Sequence, residues 1–118
     1  MNNKEAGRKG ENAAKELYVS KGYSVIATNY RFRRYGEIDL ILSKDDLIVF
    51  CEVKYRSNPD IYSPAAAVVP AKIQKIRLVA KSFLQSNYKY QGFNVRFDVA
   101  EVLPEGNILN VNLLENAF

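Results

Sequence analysis

The spacing of apolar positions changes several times along this 118-residue chain, and each change marks an element. From about residue 4 to Lys21, Gly7, Gly10, Glu11, Ala14, Leu17 and Tyr18 recur at helical spacing on one side, and Gly22 supplies a stop. Tyr23 to about Tyr30 reads as a strand. Gly36–Leu42 and Leu47–Lys54 read as two more strands, rich in branched aliphatics and separated by the polar turn Ser43-Lys44-Asp45-Asp46. Ser57-Asn58-Pro59-Asp60 and Ser63-Pro64 mark a loop. Pro70 suits the first turn of a second helix, whose apolar stripe is Ile73, Ile76, Ala80, Phe83 and Leu84. Asn94–Leu103 and Ile108–Leu114 read as two final strands on either side of the turn Pro104-Glu105-Gly106-Asn107. The order of helix, three strands, helix and two strands predicts a compact α/β sheet flanked by helices.

The two middle strands carry the chemistry. Side chains alternate faces along a strand, so Ile38, Leu40 and Leu42 should share an apolar face with Val49, Cys51 and Val53. Glu37, Asp39, Glu52 and Lys54 should point the other way. A hairpin whose loop has an even number of residues sets Ser43 opposite Ile48. It then puts Asp39 across from Glu52 and Glu37 across from Lys54. An odd loop would mate the acidic face with the core face, against the hydrophobic pattern. Facing carboxylates destabilise a ladder. A hard divalent cation, which takes carboxylate oxygens as ligands, removes that penalty. The acidic pair makes sense as a metal site.

Composition narrows the chemistry further. The length predicts one domain over residues 1–118. A 47% hydrophobic and 25% charged makeup argues against disorder. No apolar run is long enough to cross a bilayer, and the polar N-terminus has no signal-peptide core, so the cytoplasm is the expected address. Histidine is absent, which excludes imidazole catalysis and His-ligated zinc. Cys51, the single cysteine, sits on an apolar strand face and reads as a core residue. The net charge of +4 favours a polyanionic partner. The basic residues cluster as Lys4, Arg8 and Lys9, as Arg31, Arg33 and Arg34, and as Lys72, Lys75, Arg77 and Lys81. In the Arg31–Tyr35 connection the arginines could grip phosphates while Phe32 or Tyr35 stacks a base, or the segment is simply a solvated loop. Glu11 lies on the inward face of the first helix. It either pairs with a nearby lysine or arginine or looks toward the site of Asp39 and Glu52.

The run Gly7 to Glu11, then Gly36-Glu37-Ile38-Asp39-Leu40-Ile41, then Phe50-Cys51-Glu52-Val53-Lys54-Tyr55-Arg56 resembles the YraN-like family of uncharacterised bacterial proteins. Lys72, Arg77-Leu78 and Arg96-Phe97-Asp98-Val99 extend the likeness over nearly the whole chain. Ile38 stands where the wider superfamily often has proline, and Cys51 where an aliphatic residue is usual. The resemblance implies the restriction-endonuclease-like fold of the PD-(D/E)xK nucleases, a central mixed sheet of about five strands flanked by α-helices, similar to archaeal Holliday-junction resolvases. It further implies that Asp39, Glu52 and the Val53 carbonyl would hold Mg²⁺ or Mn²⁺, with Glu11 reaching in from the first helix. Lys54 would position the attacking water. Glu37 would accept a hydrogen bond from Lys54 or act outside the ligand shell. Arg31, Arg33, Arg34, Arg56, Lys72 and Lys75 are the candidates for phosphate contact. The expected partner is nucleic acid, chiefly DNA of branched or otherwise structured form, with no membrane. A homodimer is compatible with this, because resolvases act as symmetric pairs. Two other readings stay open: a nucleic-acid-binding module that keeps the nuclease fold without turnover, and a solvated salt-bridge face.

Overall fold

The computed structural model describes residues 3–56 and 69–118, so the loop expected at Ser57–Pro64 lies outside the described residues. In chain order the elements are α1 (Asn3–Ser20), β1 (Ser24–Phe32), β2 (Gly36–Lys44), β3 (Leu47–Tyr55), α2 (Pro70–Ser86), a one-turn 3₁₀ helix (Tyr88–Tyr90), β4 (Asn94–Glu105) and β5 (Ile108–Leu114). The strands form one sheet in sequence order. All neighbours are antiparallel except β3 and β4, which run parallel. A parallel pair needs a crossover, and α2 supplies it.

The helices cover opposite faces of the sheet. Ala14 and Tyr18 of α1 pack with Leu40, Leu42, Val49, Cys51 and Ala100. Ile76, Val79, Ala80 and Phe83 of α2 pack with Ile38, Ile41, Ile48 and Phe50. Strands buried on both sides read as nearly continuous apolar runs, as Ile38–Leu42 and Ile48–Cys51 do. The acidic face expected from simple alternation is therefore confined to one end of the hairpin, where β2 begins and β3 finishes. Ile38 also departs from expectation. It packs under α2 while Leu40, two residues on, packs under α1, so strict alternation breaks at Asp39.

The β2–β3 hairpin has the expected even loop. Lys44 pairs with Leu47 and Ser43 with Ile48, leaving Asp45-Asp46 as the turn, with Asp45 in the left-handed region at φ 54°. Two strands run longer than their sequence pattern. β1 continues through Arg31 and Phe32, which pair with Glu37 and Gly36, so the basic connection shrinks to Arg33–Tyr35. β4 continues through Pro104, which pairs with Leu109. The β3–β4 ladder ends at Tyr55 and Val102, so the missing proline N–H faces no β3 partner. Of the two α1 glycines, Gly10 supports close approach. A Cβ there would lie 3.3 Å from the Tyr55 ring and 3.6 Å from Val102, whereas Gly7 faces open space.

Asp98 on β4 ties the layers together. Its fully buried carboxylate accepts hydrogen bonds from the Tyr18 hydroxyl (2.7 Å), Arg96 Nε (2.8 Å), Arg96 Nη2 (2.9 Å) and the Asn116 amide (3.0 Å). Arg96 Nη2 also donates to the Tyr23 hydroxyl at 3.0 Å. The bonds to Asp98 hold the Arg96 guanidinium pKa above its ordinary value. Burial raises the Tyr18 phenol and the Cys51 thiol, which leaves Cys51 inert, as its place in the core requires.

Candidate metal and acid site

At the open end of the hairpin the last β2–β3 pair is Leu40 with Cys51. One step beyond it, the Val53 N–H donates to Asp39 Oδ2 at 2.8 Å. The Asp39 side chain thus reaches across to β3 where the ladder ends, and this is the break in alternation noted above. Among the described residues Asp39 accepts this one hydrogen bond and has no cationic partner. Burial pushes its pKa up to about 7 and the charge of Glu52 adds to the rise. The Val53 bond pulls the other way, and Glu11 and Glu37 contribute further repulsion. Three carboxylates, from α1, β2 and β3, thus act on Asp39.

Each of the other three has a partner. Glu52 is buried at the end of β3, and its Oε1 lies 2.7 Å from Lys72 Nζ on the first turn of α2. Glu11 accepts a hydrogen bond from Asn29 Nδ2 at 3.0 Å; of the two roles open to it, its charge acts on Asp39, and its partner is an amide. Glu37 pairs with Arg31 at 3.1 Å, across β1 rather than with Lys54 across β3. The reason is register: Arg31 sits directly opposite Glu37 on β1. Lys54 shares the Glu52 side of β3 by alternation and is half-buried, without an ion pair or hydrogen bond among the described residues.

The phosphate candidates separate in the same way. Arg56 donates to Glu101 at 3.1 Å, and both side chains are only 12% exposed. Arg33 lies over the Phe32 ring at 5.3 Å, and Phe32 stacks on Tyr35. Phe32 and Tyr35 are therefore engaged with each other. Arg31, Arg33 and Arg34 line a cavity of about 250 Å³ with Gly36 and Glu37. Lys72 and Lys75 line a neighbouring one of about 320 Å³ with Gly36, Glu37 and Val69. Gly36 lets β2 start close against α2: a Cβ there would meet Lys75 Cβ at 3.6 Å, and its φ of 153° disfavours any other residue.

Asn29 was not visible as a site residue from composition or spacing. It holds a left-handed φ of 50° inside β1, a strained setting that asparagine tolerates better than most residues. Its amide is what orients Glu11.

The donor set suits a hard divalent ion of the Mg²⁺ type. Asp39 and Glu52 offer carboxylate oxygens, and the Val53 backbone lies beside Asp39, its N–H bonded to the carboxylate. Among the described residues no three acidic or cysteine side chains converge tightly enough to form a metal cage. Mg²⁺ commonly binds through one or two carboxylates and keeps several waters, so two close acids are a sufficient protein contribution.

A mixed five-stranded sheet flanked by two helices, with acids gathered where β2 and β3 meet, is the architecture of the restriction-endonuclease-like fold. Within that class the chain belongs to the Uncharacterised protein family UPF0102, the YraN-like family, whose model matches residues 10–102. It is 38% identical over 120 residues to a UPF0102 protein of Dictyoglomus turgidum, covering all of both chains. It is 39% identical over 119 residues to one of Natranaerobius thermophilus, again over both full lengths. A third, of Alkaliphilus oremlandii, is 42% identical over 117 residues, 98% of this chain and 99% of that one. None of the described helices is long and apolar enough to cross a membrane.

Proposed function

We propose that this protein is a divalent-metal-dependent nuclease that hydrolyses phosphodiester bonds in DNA, including branched or structured DNA. The observation that carries the reading is Asp39. It is a half-buried carboxylate with no cationic partner among the described residues, and its burial, followed by the charges of Glu52, Glu11 and Glu37, pushes its pKa up. A sheet selected for stability alone has no use for that arrangement; a bound cation gives it one. Asp39, Glu52 and the Val53 carbonyl would hold Mg²⁺ or Mn²⁺, with Glu11 reaching in from α1. Such an ion lowers the pKa of bound water and offsets charge on phosphate oxygens.

The chain's own residues do the rest. Lys54 orients the attacking water and offsets charge on the phosphate. Asn29 keeps the Glu11 carboxylate turned toward Asp39. Lys72 neutralises Glu52 while the ion is absent and is placed to meet a phosphate. The net basic surface favours the polyanionic substrate. The test is incubation of the pure protein with labelled duplex, single-stranded and four-way-junction DNA in Mg²⁺ or Mn²⁺. Cleavage is expected, and it should be lost in Asp39→Asn and Glu52→Gln. Cleavage that persists unchanged in both variants removes the assignment.

One observation favours a second reading. The 2.7 Å ion pair between Lys72 and Glu52 already satisfies one of the two acids, as it would in a nucleic-acid-binding module without turnover. Calorimetric titration with Mn²⁺ separates the two, since only the nuclease predicts metal binding that depends on Asp39.

A further inference from the structure

We infer that α2 is a duplex-reading helix that lies in the major groove of B-form DNA with cations on both flanks. This rests on the proposed action on DNA and names the form of the substrate. The segment Pro70–Ser86 carries Lys72, Lys75, Arg77 and Lys81 and no acidic residue. By contrast, α1 mixes Lys4, Arg8, Lys9 and Lys15 with Glu5, Glu11 and Glu16.

The four cations of α2 are divided between two sides. Lys72 and Lys75 line the cavity of about 320 Å³ toward Gly36 and Glu37 of β2. Arg77 and Lys81 line a different one, of about 420 Å³, toward Phe97 of β4 and Gln91. The helix is thus a ridge between two cation-walled grooves. Its exposed crest holds Gln74 and Leu78, which are uncharged, and Gln85 lines the groove of Arg77 and Lys81.

The dimensions suit a duplex. An α-helix with its side chains is about 10–12 Å across and the B-DNA major groove is about 12 Å wide. Cations on both flanks of a helix seated there face the phosphates of both strands, while Gln74 on the crest faces base edges, where an amide pairs with adenine. Lys72, at the acid end, brings one of those strands beside Glu52. A single strand would instead need one basic track with open aromatic faces for stacking. The aromatic ring of the larger groove offers none: Phe97 is stacked on Phe50 at 5.6 Å, meets Phe118 at 5.3 Å and lies under Arg77 at 5.2 Å. Duplex RNA is disfavoured because its major groove is too narrow and deep to admit side chains.

The test is fluorescence anisotropy of the full chain in EDTA, with a mixed-sequence DNA duplex of about 20 base pairs, its single strand and the matching RNA duplex, across a salt series. The DNA duplex is expected to bind at least about tenfold more tightly than the other two. Each lost phosphate contact lowers the slope of log K against log salt by about 0.9. Arg77→Ala/Lys81→Ala should therefore reduce it by nearly 2, with an unchanged melting curve, while Lys4→Ala/Arg8→Ala on α1 should leave it in place. Duplex binding with an unaltered slope in Arg77→Ala/Lys81→Ala, or equal affinity for the single strand, overturns the inference alone. The expected slopes without any Mg²⁺-dependent cleavage support it and overturn only the hydrolytic reading. Absence of binding to all three probes overturns it along with the nucleic-acid partner.

Discussion

Asp98 and Asp39 are carboxylates held in the same sheet, and they are treated in opposite ways. Asp98 is fully buried and accepts four hydrogen bonds, two of them from one guanidinium. Asp39 is half-buried, accepts one from a backbone amide among the described residues, and is crowded by Glu52, Glu11 and Glu37. A charge that is buried and fully paired holds elements in place; a charge surrounded by its own kind stores unfavourable energy until a cation arrives. The first acid serves the fold, and the second is the one assigned to the proposed metal site.

The largest effect that could break this contrast is at Asp98. Asp98→Ala removes the buried acceptor of the Tyr18 hydroxyl and two of the Arg96 hydrogen bonds, leaving Arg96 only Glu115 and Tyr23, and should cost about 3 kcal/mol, read by urea denaturation. A loss under about 1 kcal/mol would mean that Asp98 does not hold the fold. Next comes activity. Asp39→Asn and Glu52→Gln should each lower metal-dependent cleavage at least about a hundredfold, roughly 3 kcal/mol of barrier, while remaining folded.

The third effect is on stability, and its sign is opposite to that at Asp98. The Asp39 pKa is raised from 3.8 to about 7 on folding. Its contribution to stability is therefore fully present below about pH 4 and is lost as pH rises through about 7. In metal-free buffer Asp39→Asn should match the parent near pH 4 and exceed it by about 1–2 kcal/mol at pH 8. Added Mn²⁺ should stabilise the parent and leave the variant unmoved. A variant less stable than the parent at pH 8 would contradict the repulsion argument.

Lys72→Ala should give a smaller change. It exposes the charge of Glu52 and should cost about 1 kcal/mol without metal, a deficit that Mn²⁺ narrows in thermal melts. Asn29→Gly is the subtlest. Glycine accepts the left-handed backbone, so stability should move by less than about 0.5 kcal/mol. Cleavage should nevertheless fall a few-fold as Glu11 loses its orienting amide. Full retention of activity would make Asn29 a turn residue only.

Much of this was legible in the chain. The even hairpin loop and the pairing of Ser43 with Ile48 followed from the hydrophobic pattern, because slipping one residue would have exposed a whole core face. β5 and the start of α2 at Pro70 were equally clear, since turn residues and proline bound them locally. The ends of β1 and β4 were not. Arg31 and Pro104 discourage a strand by local preference, and each is in one because a neighbouring strand pairs with it. The Arg31 partner of Glu37 was hidden for a related reason: alternation gives the face of a side chain but not which of two flanking strands supplies its partner.

The sequence alone determined the even turn and the hairpin register from Ser43 to Leu40, because a one-residue slip would have wetted the aliphatics, but not the end beyond, where alternation breaks at Asp39. Tertiary structure decided what each charge would meet. Whether a carboxylate is quenched, as Asp98 is by Arg96, or left to repel its neighbours, as Asp39 is, depends on groups brought together by folding. Coulomb interactions act through space at a few ångströms, where separation along the chain has no bearing.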